Sequence, residues 1–273
     1  MLTISSVLYE KIVAHARADH PDEACGVIAG PTGSDRPERF IPMLNAERSP
    51  TFYRFDSMEQ LRVWREMDDR DEEPVVIYHS HTATQAYPSR TDISYASEPG
   101  AHYVLVSTRE PDRAEFRSFR IVDGEVSEEE VRTAGEGARG STARRRNDPA
   151  GPPVESCDKP NLSTPANCHV PGRGPDTGAP FMAIEVRIPT ILRTYTGGAK
   201  SVEGSGDTLA ELLGDLDSRH HGLRHRLVDE AGLRRFVNVY LNDEDVRFLG
   251  GLQTPVVEGD TVTVLPAVAG GSR

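Results

Sequence analysis

Cysteine is scarce in this chain: three residues in 273, at positions 25, 157 and 168. So few thiols support no disulfide framework, and a reducing, cytoplasmic location is the expectation. Basic residues are outnumbered, 31 against 43 acidic ones, for a formal charge of -12. Nucleic acid demands a basic footprint, so that class of partner is excluded. The run Arg144-Arg145-Arg146 is a local exception, read as a solvated linker feature. Long apolar runs are missing too: none approaches the roughly 18 residues of a membrane helix, and no membrane is expected as partner. The opening MLTISSVLYEKIVAHARADH shows acidic residues and helical spacing in place of a signal-peptide pattern.

What remains suits globular domains. Hydrophobic residues make up 37% and charged residues 27%, and the length allows two domains with separate cores. Residues 1–135 alternate helical and strand patterns. Val7, Leu8, Ile12, Val13 and Ala16 are expected on one helical face. ACGVIAG (24–30), VVIY (75–78) and HYVLVST (102–108) read as buried strands. Asp56 with Glu59 three positions later predicts a capping box. Asp123-Gly124 predicts a hairpin turn. This order indicates an α/β domain with a mixed sheet flanked by helices. Residues 136–181 lose all periodicity and turn Pro/Gly-rich, a flexible linker that contains Cys157, Cys168 and His169. Residues 182–273 read as a second, α+β domain: a hairpin about Gly197-Gly198, a leucine-rich helix opening at Asp207, then further strands.

The chemistry concentrates in VVIYHSHTATQAYPSRTD, Val75 to Asp92. Residues i and i+2 of a strand share a face, so His79 and His81 project together while Ser80 turns away. Their Cα atoms lie roughly 6.5–7 Å apart at strand rise, close enough for both imidazoles to reach one ion. Two imidazoles and a carboxylate, for which Asp92 is a candidate, leave the fourth position of a zinc ion open to water. Taken singly the signals are weak: His-x-His is more often packing or surface, and Ser-x-x-Asp is an ordinary helix N-cap signature.

Taken together, His79-Ser80-His81, Ser89 and Asp92 closely resemble the JAMM (MPN-plus) metallopeptidase signature, and the resemblance covers residues 1 to about 125. PDEACGVIAG supplies, as Glu23, the upstream glutamate that the family uses. Thr82 stands where many relatives have proline, a position that holds no ligand. The resemblance implies that His79, His81 and Asp92 bind Zn2+, that Glu23 is the general base and acid, and that Ser89 donates to the oxyanion. A nucleophilic role for Cys25 is the weaker reading, since an apolar strand position suits a small buried hydrophobe.

The second domain ends in VVEGDTVTVLPAVAGG, which resembles the ubiquitin-like β-grasp sulfur carriers of the ThiS/MoaD type. IPTILRTYTGGAKSV and RFVNVYLNDEDVRF narrow the likeness to the carriers of actinobacterial cysteine biosynthesis. Such carriers are adenylated at the last glycine by an E1-like enzyme and converted to a thiocarboxylate. A PLP-dependent cysteine synthase then yields a carrier–cysteine amide, which a JAMM peptidase hydrolyses. The resemblance thus implies a peptidase and its carrier substrate in one polypeptide. One feature departs from that pattern: Ser272-Arg273 follows Gly270-Gly271, which makes the Gly271–Ser272 bond a candidate for self-cleavage. Two alternatives stay open, the same architecture in another sulfur pathway (thiamin, molybdopterin or a secondary metabolite) and a non-catalytic MPN scaffold.

Overall fold

A computed structural model describes residues 1–135 and 183–272. The expected linker, with its arginine run, Cys157, Cys168 and His169, lies outside the described residues, as do Met182 and Arg273. The first stretch runs β1 (Leu2–Ser5), α1 (Ser6–Asp19), β2 (Cys25–Pro31), β3 (Arg39–Met43), β4 (Tyr53–Arg54) and α2 (Ser57–Asp69). It continues with β5 (Glu72–His81), α3 (Arg90–Tyr95), β6 (His102–Glu110), β7 (Arg113–Val122), β8 (Glu125–Glu129) and β9 (Val131–Ala134).

Six of these strands form one mixed sheet in the order β3-β2-β5-β6-β7-β8. β5 and β6 are parallel, and the other neighbours are antiparallel. Alternation along the strands divides the core between two faces. Val76 and Tyr78 of β5 pack with Val104, Val106 and the α1 residues Leu8, Ile12 and Ala16. Ile77 points the other way, with Val27, Leu105 and Phe119, against Leu61, Trp64 and Met67 of α2. His79 and His81 share the parity of Ile77 and so leave the end of β5 on the α2 side.

Local details depart from the expected ones for identifiable reasons. Val7 is 39% exposed, because the buried stripe is Leu8–Ile12–Ala16 and Val7 sits about 100° away around the helix. Asp56 does cap α2, accepting from Met58 N and Glu59 N. The reciprocal half of the box is absent: the Glu59 carboxylate accepts from Leu44 N at 2.7 Å instead, tying α2 to the loop after β3. Asp123 and Gly124 turn with φ of 51° and 82°, the twist that a two-residue hairpin needs.

The second stretch comprises β10 (Ile184–Arg187), β11 (Ser201–Gly204), α4 (Leu209–Arg219), α5 (Leu223–Leu227), β12 (Val228–Asp229) and β13 (Gly232–Leu233). β14 (Val237–Leu241), β15 (Glu244–Asp245), β16 (Thr261–Pro266) and β17 (Ala269–Gly270) complete it. Its sheet has the order β11-β10-β16-β14-β15, with β10 and β16 parallel, and Leu209, Leu212, Leu213 and Leu216 of α4 fill its core. This is the β-grasp arrangement. Thr208, and not Asp207, caps α4, because it is the Thr208 side chain that accepts from Glu211 N.

The two stretches form one compact unit. Tyr240, Leu265 and Val268 belong to the same buried cluster as Tyr53, Phe55 and Trp64. Gln60, 1% exposed, donates to Pro266 O at 2.7 Å, and Tyr240 Oη donates to Ser57 O at 3.0 Å. Arg193 pairs with Asp68 at 2.9 Å and Lys200 with Asp71 at 2.7 Å. The exposed Lys200–Asp71 pair contributes little, so the apolar burial, the satisfied Gln60 amide and the half-buried Arg193–Asp68 pair hold the contact.

Candidate active site

The C-terminal tail is a strand in this fold. β17 pairs antiparallel with β4, Ala269 opposite Arg54 and Gly270 opposite Tyr53, and Phe55 N donates to Val268 O at 3.1 Å. This pairing runs Gly270, Gly271 and Ser272 past the end of β5, where the two histidines emerge.

The structure brings His79, His81 and Asp92 together, with one ligand atom of each within 4.8 Å of the others, and all three are buried. The two Nε2 atoms face each other at 3.1 Å. Asp92 Oδ1 lies 3.1 Å from His79 Nε2, and Oδ2 lies 3.5 Å from His81 Nε2. His81 Nδ1 is 2.9 Å from Gln85 O. A carbonyl can only accept, so Nδ1 carries the proton and, in the neutral ring, Nε2 keeps its lone pair toward the cluster. Burial holds the His79 ring below its ordinary pKa despite Asp92. Burial also depresses His81, but Asp92 and Gln85 outweigh it and the ring is raised. Burial would raise Asp92, yet the two imidazoles overcome it and hold the carboxyl far below the usual range.

Asp92 reaches the cluster through its helix. Ser89 caps α3 in a full capping box, accepting from Asp92 N at 3.1 Å while Ser89 N donates to Asp92 Oδ2 at 2.7 Å. The Ser89 hydroxyl proton is left free for another acceptor, and Oγ donates it to Gly271 O at 2.5 Å. Gly271 N in turn donates to Asp92 Oδ1 at 2.6 Å.

Glu23 lies just before β2 and is fully buried. Asn45 fixes its backbone, with Nδ2 donating to Glu23 O at 2.9 Å and to Phe52 O at 3.2 Å. The Oε1 atom accepts from Ser272 N at 3.2 Å, and Oε2 is buried without a partner. Burial pushes its carboxyl up to about 7, against the lowering effect of the Ser272 hydrogen bonds and of His81. An orphaned carboxylate oxygen beside two imidazoles and a second carboxylate is the donor set of a divalent cation with a water beside it, so the residues fit a metal.

Gly270 and Gly271 have no room for side chains. A β-carbon on Gly270 would collide with Asp92 Oδ1 and lie 2.8 Å from the Tyr53 ring. One on Gly271 would lie 2.5 Å from Thr51 O, 2.6 Å from Phe52 Cα and 2.7 Å from Glu23 Oε2, and its φ is +132°. The Thr51–Phe52 backbone together with the Asp92, Tyr53 and Glu23 side chains thus defines a slot only glycine fits. Cys25 is buried with its thiol pushed well above the ordinary value by that burial, and Sγ donates to Met43 O at 3.6 Å. Nothing there activates a nucleophile.

Sequence reasoning missed the groove wall Thr51-Phe52-Tyr53 and the clamp Asn45. Tyr53 is 2% exposed and lies against His79 with 4.5 Å between ring centroids. A two-residue strand has no periodicity to detect, and the one available signal was a tyrosine and two phenylalanines within TFYRF.

Such a cluster at a strand end, with a di-glycine tail threaded past it, defines a peptidase site of JAMM type. Residues 5–122 match the family of prokaryotic homologs of the JAB domain, and residues 186–271 match the ThiS family. The first part is 73% identical over 131 residues to the CysO-cysteine peptidase of Mycobacterium tuberculosis, spanning 48% of this chain and 90% of that protein. The second is 57% identical over 93 residues to the sulfur carrier protein CysO of the same organism, spanning 33% of this chain and all of that protein. A chain of the Amycolatopsis orientalis BexX/CysO complex is 63% identical, spanning 33% of this chain and 100% of its own length with a TM-score of 0.32. The chain belongs to the prokaryotic JAB-domain family and, over its second part, to the ThiS family. It is a JAMM-type metallopeptidase fused to a ubiquitin-like sulfur-carrier domain, homologous to a CysO-cysteine peptidase and to CysO. No helix among the described residues is long and apolar enough to cross a membrane.

Proposed function

We propose that the peptidase, over residues 1–135, hydrolyses the amide that follows Gly271 of a carrier such as residues 182–273. The reaction releases cysteine from a carrier–cysteine adduct and also cuts the chain's own Gly271–Ser272 bond. The observation that carries this reading is the position of that bond: its carbonyl oxygen is on Ser89 and its nitrogen on Glu23.

His79, His81 and Asp92 would hold zinc, which when bound supplies Lewis-acid polarisation and a water of lowered pKa. The chain's own residues carry the proton and the charge. Glu23 takes a proton from the attacking water, whose oxygen bonds to the Gly271 carbonyl carbon. The same carboxyl then passes the proton to the Ser272 nitrogen as the carbon–nitrogen bond breaks. A carboxyl near pH 7 in proton affinity is suited to both transfers, and Oε1 already faces the leaving nitrogen. Ser89 Oγ donates to the oxygen on which negative charge grows. Asp92 Oδ1, by accepting from Gly271 N, fixes the peptide plane.

The freed Gly271 carboxylate is the group that an E1-like adenylyltransferase would activate and convert to a thiocarboxylate. A PLP-dependent cysteine synthase would then consume that thiocarboxylate, placing the chain in cysteine biosynthesis. Intact-mass measurement tests the reading. Metal-stripped protein given back zinc is expected to lose the residues after Gly271, while Glu23→Gln retains them. Retention of those residues by the zinc-loaded wild type would overturn the proposal.

A further inference from the structure

The residue after the scissile bond is held by more than its backbone. Ser272 N donates to Glu23 Oε1 at 3.2 Å, a contact open to any residue but proline. Ser272 Oγ donates to the same oxygen at 2.8 Å, a contact that needs a hydrogen-bond donor on the γ atom. The acceptor is a fully buried carboxylate whose other oxygen has no partner. An unmade hydrogen bond there is not replaced by water at small cost. On the other side of the bond, Thr51 O, Phe52 and Glu23 Oε2 leave no room for a side chain on Gly271.

Serine and cysteine share one skeleton and differ in the γ atom, oxygen against sulfur, each bearing a proton. The stretch Gly270-Gly271-Ser272 is therefore the oxygen counterpart of a carrier ending in Gly-Gly-cysteine. We infer that Glu23 is also the specificity-determining residue for the amino acid that follows the scissile amide. It selects a short side chain with a hydroxyl or thiol at γ, and Ser272 presents an encoded mimic of the carrier–cysteine adduct. This inference rests on the hydrolytic reading above and adds a selection that hydrolysis alone does not require. The contact leaves the bond changes as they were: water adds at the Gly271 carbon, and the amine of residue 272 leaves with the proton from Glu23.

The test uses full-length protein, stripped of metal and given back zinc, with intact mass following loss of the residues after Gly271. Wild type, Ser272→Cys and Ser272→Ala are compared. Ser272 belongs to none of the three buried apolar clusters. Wild type and Ser272→Cys are expected within about threefold of each other, the thiol being the weaker donor. Ser272→Ala is expected roughly tenfold slower, the loss of one hydrogen bond to a charged acceptor. Equal rates for Ser272→Ala and wild type would overturn this inference while leaving the hydrolytic reading intact. A Ser272→Cys rate as low as that of Ser272→Ala would overturn the mimicry. Cleavage in none of the three would overturn the hydrolytic reading and this inference with it.

Discussion

Ser89 Oγ lies 2.5 Å from the carbonyl oxygen of Gly271 and at the same time accepts the backbone N–H of Asp92 at 3.1 Å. One hydroxyl both caps the helix that carries Asp92 and donates to the Gly271 carbonyl. The two roles separate on mutation. Ser89→Ala is expected to lower the cleavage rate by about 10²–10³, the effect of removing one oxyanion donor. Its stability cost is expected to be only about 1 kcal/mol, the typical loss of an N-cap. Ser89→Asp keeps a cap acceptor but offers no hydroxyl proton, so it should recover the stability and not the rate. Rate by mass spectrometry and unfolding in urea, measured on the same samples, check both parts.

The slot around the two glycines makes a sharper demand. Gly271→Ala would need a positive φ, which costs a side chain roughly 1–3 kcal/mol, before its β-carbon meets Thr51 O and Phe52. Cleavage is expected to fall by at least about tenfold to a hundredfold. Gly270→Ala should fall comparably, because its β-carbon collides with Asp92, which the neighbouring imidazoles hold in place. Gly124→Ala serves as control: its φ of +82° is equally awkward, but it lies in an exposed turn and should leave cleavage unchanged.

Legibility followed the range of the interactions. The His79–His81 juxtaposition comes from strand alternation, and the reach of Asp92 from the Ser89 cap; both are local rules visible in the residues themselves. Glu23 joined them in the sequence only through the family signature, since its distance in the chain from His79 is closed by β2–β5 pairing. The groove was invisible. β4 and β17 are two residues each, too short for any pattern, and they exist because each completes the other. The same holds for Glu59, whose expected helix-capping bond lost to Leu44 N from a neighbouring loop. Where a tail closes on a distant edge, propensity within either segment says nothing.

Metal removal follows from the cluster. A ligand that binds only the folded state stabilises it by about 2.7 kcal/mol at a hundredfold excess over Kd. Zinc is therefore expected to raise the melting temperature of the wild type, and a chelator to reverse the rise. Asp92→Ala should abolish that response by removing the carboxylate that sits with His79 and His81. Calorimetric titration of metal into both proteins, independent of any turnover, checks the point.

Glu98 supplies a pH dependence away from the metal cluster. It is 6% exposed, and burial pushes its carboxyl from 4.5 up to about 8, with Glu73 adding to the rise and Arg193 opposing it. An acid whose folded pKa is raised holds its proton longer in the folded state than in the unfolded one. Its presence is therefore neutral below about pH 4.5 and increasingly destabilising as pH climbs toward 8. Glu98→Gln should match the wild type near pH 4.5 and exceed it in stability by a few kcal/mol at most at pH 8. Urea unfolding at the two pH values measures the difference, and a gap of the same size at both would count against the assignment.

The tail sits in the groove of its own chain, and that geometry predicts a kinetic order. Gln60 on Pro266 O, Tyr240 on Ser57 O and the shared cluster around Trp64 hold the carrier face against α2, and β17 is already paired to β4. Cleavage of Gly271–Ser272 after zinc is returned should then be first order in protein, with a half-time unchanged over a hundredfold dilution, about the range that separates tethered from bimolecular encounters. Mixing Glu23→Gln chains with active ones should leave the tail of the inactive chains largely intact on that timescale. Gln60→Ala unpairs Pro266 O in a buried position, which costs about 1–3 kcal/mol. By loosening the docked state it should slow cleavage without altering the metal response. A half-time that lengthens in proportion to dilution would show instead that one chain trims another.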